Sequence, residues 1–142
     1  MLGPQLVFFV TAVVYLCNTG IYASSSTDNM KKLESEMYPI FEDCLKEYGA
    51  TEKTNYEDLN PCIWACFFKK TELMDNKGYF DQKKYTEINK IYLTNKEDLA
   101  KIDKIRQECE KVNDAEVSDG DKGCERSKLM IDCVKEQVNA MA

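Results

Sequence analysis

Asn60-Pro61-Cys62-Ile63-Trp64-Ala65-Cys66-Phe67-Phe68 is the stretch on which the fold turns. Asn60 suits a helix N-cap, and Pro61 suits the first helical position, where its missing N–H is not needed. Cys62 and Cys66 stand four apart and share one face of the helix that follows. Trp64, Phe67 and Phe68 make this the most apolar helix start in the chain. A helix with two thiols and three large aromatics belongs at the centre, with other elements tied to it.

Working outward from it, helical spacing continues on both sides. Met30, Leu33, Met37, Ile40, Phe41, Cys44, Leu45 and Tyr48 recur at three- and four-residue steps, which predicts an amphipathic helix. Pro39 predicts a kink, or two half-helices joined near Tyr38, and Gly49 a C-cap. The central helix is expected from Pro61 to about Met74, followed by a turn at Asp75-Asn76-Lys77-Gly78. Asp81 can cap a helix carrying Tyr85, Ile88, Ile91 and Tyr92. Thr94 or Asn95 can cap the next, with Leu99, Ile102, Ile105, Cys109 and Val112 on its apolar face. Asn113–Gly123 reads as an acidic loop before a last helix from about Cys124 to Val138. No segment alternates with the two-residue period of a strand. The fold class is all-α, with about six short helices that need packing and cross-links, because short helices are marginal alone.

The N-terminus carries a different signal. Leu6–Leu16 is interrupted only by Thr11, and no charged side chain precedes Asp28. That run suits the h-region of a secretory signal better than a membrane span, so residues 1–23 read as a signal peptide and 24–142 as the domain. Cleavage after Ala23 removes Cys17 and leaves six of the 7 cysteines. Export with an even cysteine count predicts three disulfides and a secreted, extracellular protein. The 15 possible pairings are narrowed by helix geometry. Cys124 and Cys133 would lie about 13 Å apart along one helix, on opposite faces, and cannot bond each other. Cys62 and Cys66, on successive turns, are equally unsuited, and ten schemes survive.

Charge and composition exclude several functions. The net charge of -6 opposes a nucleic-acid groove or docking on an anionic membrane. With 0 His, Ser-His and Cys-His catalysis are unavailable, and the carboxylates alternate with lysines as on solvated helix faces. No metal site is expected: there is no C-x-x-C, and the Asp119-Gly120-Asp121 loop lacks the register of a calcium loop, with Leu129 where the terminal acid would stand. The reading is not an enzyme, with no cofactor and no stable membrane insertion.

The order C-x17-C-x3-C-x42-C-x14-C-x8-C, from Cys44, Cys62, Cys66, Cys109, Cys124 and Cys133, resembles the insect odorant-binding protein family. The x3 and x8 gaps carry most of that likeness, and Asp75-Asn76-Lys77-Gly78-Tyr79-Phe80-Asp81 is similar to the family's turn between its third and fourth helices. The resemblance implies the pairing Cys44–Cys66, Cys62–Cys124 and Cys109–Cys133, which is among the ten. It also implies an apolar cavity between the helices that binds small hydrophobic ligands. By distance from the matching cysteines, Ile40, Trp64, Phe68, Phe80, Leu129 and Val138 would line it. Tyr85, Ile88, Ile91 and Tyr92 join them on periodicity, with Tyr85 or Tyr92 as the polar group of the wall. The Cys44–Cys62 gap is shorter than the family's usual one, which implies a truncated second helix. The function implied is a carrier, monomeric or weakly dimeric, that takes an odorant- or pheromone-like molecule towards a membrane chemoreceptor. The same scaffold would also serve a salivary, venom or reproductive secretion that sequesters a ligand or binds a protein. A filled-core interaction module is the third reading, marked by an exposed apolar patch.

Overall fold

The computed structural model describes residues 27–51, 53–54 and 58–141, so the expected signal segment lies outside the described residues. Among the described residues five α-helices follow in order: α1 Thr27–Glu47, α2 Pro61–Lys70, α3 Gln82–Tyr92, α4 Lys96–Cys109 and α5 Cys124–Met141. Two 3-10 segments, Glu110–Asp114 and Gly120–Lys122, join α4 to α5. The fold is all-α, with one isolated antiparallel bridge between Met74 and Phe80 among the described residues.

Capping explains where the helices begin. Asn60 accepts from the Cys62 N–H, Asp81 from the Lys84 N–H and Asn95 from the Glu97 N–H. Each satisfies an amide that the first helical turn leaves unpaired. The start of α5 uses a residue five positions upstream: Asp119 accepts from the Cys124 and Glu125 N–H groups at 2.8 and 3.1 Å. At the end of α1, Gly49 takes φ 68° while Ala50 N–H donates to Leu45 O and Gly49 N–H to Lys46 O. That is the paired Schellman arrangement, and only glycine enters it without strain.

Three expectations need correction. Of the two outcomes expected at Pro39, division into half-helices does not occur: α1 runs through it as one helix, with the Pro39 ring on the exposed side. The central helix stops at Lys70 rather than near Met74, because Glu72 turns left-handed at φ 61° and Leu73 and Met74 enter the turn. At the other end of the chain, α5 continues past Val138 to Met141.

The disulfides weld four of the five helices. Cys44–Cys66 joins the last turn of α1 to α2, Cys62–Cys124 joins the starts of α2 and α5, and Cys109–Cys133 joins the end of α4 to α5. Helix α2 is therefore held on two sides and packs chiefly on α5 and α1. Helix α3 carries no cysteine.

The core has two parts. One is aromatic and centred on α2: Phe41 lies 4.9 Å from Trp64 and 5.8 Å from Phe67, ring centre to ring centre. The other lies between α4 and α5 and holds Ile102, Ile105, Cys109, Cys133 and Val138. Phe80 and Tyr85 pack against both. They mark the seam where the two cores meet.

Candidate ligand-binding site

The seam contains a cavity. Phe68 and Leu73 close it from the α2 side, Phe80, Asp81, Gln82 and Tyr85 from the turn and first half of α3, Ile105, Arg106 and Cys109 from α4, and Met130 and Val134 from α5. Its free volume is about 40 Å³. That is far below the roughly 300–1,000 Å³ of a typical small-molecule pocket. Phe68 belongs to the aromatic core as well as the cavity wall, and its ring meets Phe80 edge to face at 5.1 Å.

The position of Phe80 is fixed by a residue far away in sequence. Asn113 accepts from the Phe80 N–H and donates to the Phe80 carbonyl, both at 2.9 Å. The segment bearing Asn113 is in turn held by Arg126 of α5, whose Nη1 donates to the carbonyls of Val112, Asn113 and Ala115 at 2.7, 3.2 and 3.0 Å. The buried guanidinium also stands 4.6 Å over the Tyr79 ring. One cation thus ties α5, the 3-10 segment and the 75–81 turn into one wall. The turn itself lies so close to the start of α5 that a Cβ on Gly123 would sit 2.6 Å from the Met74 sulfur.

The polar side chains of the cavity wall come from the start of α3, with Asp81, Gln82 and Tyr85, and from α4, with Arg106. The Tyr85 hydroxyl is buried beside the Asn89 side chain. Burial pushes its pKa well above the usual tyrosine value, against smaller opposing pulls from the neighbouring Asn89 amide and the Arg106 charge. Further along the helix, Tyr92 donates its hydroxyl proton to Glu36 of α1. Burial, and then that bond, raise Tyr92 to about 12. At the start of α3, Lys84 pairs with Glu72 at 2.8 Å. Their hydrogen bond and mutual attraction lower the Glu72 pKa and raise that of Lys84.

Of the residues expected to line a cavity, the structure brings together Phe68, Phe80 and Tyr85. Trp64, Ile88 and Tyr92 are buried in the aromatic core, Ile40 packs against its edge, and Val138 is buried in the α4–α5 core. Ile91 is 57% exposed and Leu129 40% exposed. Both lie outside the cavity, for a geometric reason. Ile91 is rotated about 120° from Tyr85 around α3, and Leu129 about 100° from Met130 around α5. Leu129 instead borders an outer groove with Pro61, Glu116 and Lys128. Leu73, Ile105, Arg106, Met130 and Val134 were missed, although the periodicity of α4 already placed Ile105 on an apolar face.

Fold and site together define a disulfide-stapled helical protein built around a small apolar cavity. The model of the PBP/GOBP family matches residues 26–137, and the chain belongs to that family. It is similar to the pheromone-binding protein Gp-9 of Solenopsis pusillignis and of Solenopsis electra, each 31% identical over 131 residues, covering 80% of this chain and 81% of the relative. The Gp-9 protein of Solenopsis tridens is 30% identical over the same coverage. No solved structure matches the chain. Among the described residues, no helix is long and apolar enough to cross a membrane.

Proposed function

We propose that the protein is a secreted carrier that binds small hydrophobic molecules, odorant- or pheromone-like, in extracellular fluid. Residues 1–23 direct its export, and it acts as a monomer or weak homodimer that delivers its ligand to a membrane chemoreceptor. Phe68, Phe80 and Tyr85, with Leu73, Ile105, Met130 and Val134, contact the ligand. The observation that carries this reading is a predominantly apolar cavity at the seam of two cores, in a framework cross-linked everywhere except at one wall. Membership of the PBP/GOBP family and relatives named for pheromone binding support it.

A volume of about 40 Å³ is too small for such a ligand, so a wall moves on binding. Helix α3 is the wall free to do so. It is held by the Tyr92–Glu36 and Lys84–Glu72 pairs and by side-chain packing, with no covalent tie of its own. Met130, with its unbranched and polarizable side chain, lets the opposite wall adjust.

Native mass spectrometry and thermal unfolding of the oxidised protein, with and without an apolar fluorescent probe, test the reading. One-to-one binding that raises the melting temperature is expected, since a ligand at about 100 times its Kd stabilises by about 2.7 kcal/mol. Failure of correctly cross-linked protein to bind any apolar probe contradicts it.

A further inference from the structure

The cavity has a single cation among its lining residues. Arg106 stands with Ile105 and Cys109 on the cavity side of α4, and its side chain is 22% exposed. Its stem thus covers apolar wall while the charged end meets water at the opening. The guanidinium is held at one edge. Its Nε donates to Asp103 Oδ1 at 2.9 Å, and Gln107 Nε2 fixes the other oxygen of that carboxylate at 2.8 Å. Among the described residues neither Nη group of Arg106 donates a hydrogen bond. Two parallel donors are therefore left, the geometry that a carboxylate matches. Arg106 also belongs to a wall that stays in place. Cys109, one turn further along α4, is bonded to Cys133 of α5, whereas α3 carries no cysteine. Movement of α3 on binding leaves the cation where it is.

We infer that the cavity selects an apolar chain ending in a carboxylate, with the chain in the seam and the carboxylate on the two Nη groups of Arg106 at the opening. The inference rests on the carrier reading and narrows its ligand class. An ester offers the fork only neutral acceptors, which bind it more weakly, and a hydrocarbon offers none. An ammonium head would be repelled by Arg106 and drawn to Asp81, the acid on the same wall. Arg106 outweighs that acid for two reasons. Asp81 is exposed, and its Oδ1 already caps α3 by accepting from the Lys84 N–H at 2.9 Å. Arg106 is mostly shielded from water, where a charge acts more strongly.

The test is displacement of N-phenyl-naphthylamine from the oxidised protein by decanoate, methyl decanoate and protonated decylamine at neutral pH. Decanoate should bind about tenfold tighter than the ester, in keeping with a charge-assisted pair discounted for its exposure. Decylamine should bind weakest, and added salt should narrow the gap between acid and ester. In Arg106→Gln the ratio of ester to acid dissociation constants should fall to unity. In Asp81→Asn, whose new side chain can still cap α3, that ratio should rise. Far-ultraviolet circular dichroism establishes that each variant folds. An ester that binds as tightly as decanoate, tightest binding by decylamine, or an acid preference that survives in folded Arg106→Gln or falls in Asp81→Asn would each overturn the inference and leave the carrier reading standing. A probe that does not bind the wild type at all would overturn the carrier reading, and the inference with it.

Discussion

The Tyr92 hydroxyl donates a hydrogen bond to the Glu36 carboxylate, and so fastens the end of α3, the helix without a cysteine, to α1. The tyrosine ring is buried while the carboxylate is half exposed. Solvent therefore screens part of the interaction, and Tyr92→Phe should cost about 1 kcal/mol, below the roughly 1.5–3 kcal/mol usual for a bond to a charged group. The same variant should bind an apolar probe faster, because α3 moves more readily. Thermal unfolding and stopped-flow fluorescence check the two effects; an unchanged association rate would argue against α3 as the moving wall.

Alkaline stability should report on the same tyrosines. Tyr92 titrates at about 12 in the folded protein, and Tyr85 is raised as well. In the unfolded chain both titrate at about 10. Between those values the unfolded chain has released protons that the folded one keeps. The contribution is thus fully present below pH 10 and is lost as the pH rises towards 12 and beyond. Melting temperatures measured across that window should fall, and Tyr92→Phe and Tyr85→Phe should each flatten the fall.

The disulfides should differ in worth. Cys62–Cys124 spans 62 residues of sequence, against 22 for Cys44–Cys66 and 24 for Cys109–Cys133. In the chain-entropy model this corresponds to about 4 kcal/mol for the long loop and about 3.4 kcal/mol for each short one. Replacing each pair by serine and measuring denaturant midpoints should place the Cys62–Cys124 variant lowest.

Asn113 should matter out of proportion to its partial exposure, because both of its bonds go to the backbone of Phe80. Asn113→Ala leaves the Phe80 N–H and carbonyl unpaired at the cavity wall, at a cost of about 1–3 kcal/mol. Probe affinity should drop with it. Arg126→Met should do the same by releasing the three carbonyls that hold the Asn113 segment. A variant that loses stability but keeps full probe affinity would show that the 3-10 segment supports the fold and not the cavity.

Helix ends are legible in the sequence where they depend on near neighbours. Asn60, Asp81, Asn95 and Gly49 act through backbone groups within a few positions, so their types announce helix ends. The disulfide pairing was not legible from residues alone, because helix geometry left ten schemes and the family resemblance was needed to select one. The cavity was less legible still. Ile91 and Leu129 look apolar and central, yet a rotation of about 120° for the first and about 100° for the second puts each on the outside. Phe80 is aimed by Asn113, 33 positions away. The end of α2 depends on the left-handed Glu72, which no glycine or proline announces. Such outcomes come from how elements pack, and periodicity within one element does not contain them.

The central claim is that ligand occupies the seam between the two cores. Its most direct measurement is the affinity of oxidised wild type, Val134→Trp and Leu129→Lys for one apolar fluorescent probe, with far-ultraviolet circular dichroism to establish folding. Val134 borders the cavity, whereas Leu129 faces the outer groove. Filling the seam with the Val134→Trp indole should abolish binding, and Leu129→Lys should leave it at the wild-type level. Full binding by folded Val134→Trp, or its loss in folded Leu129→Lys, would contradict the account and move the site elsewhere.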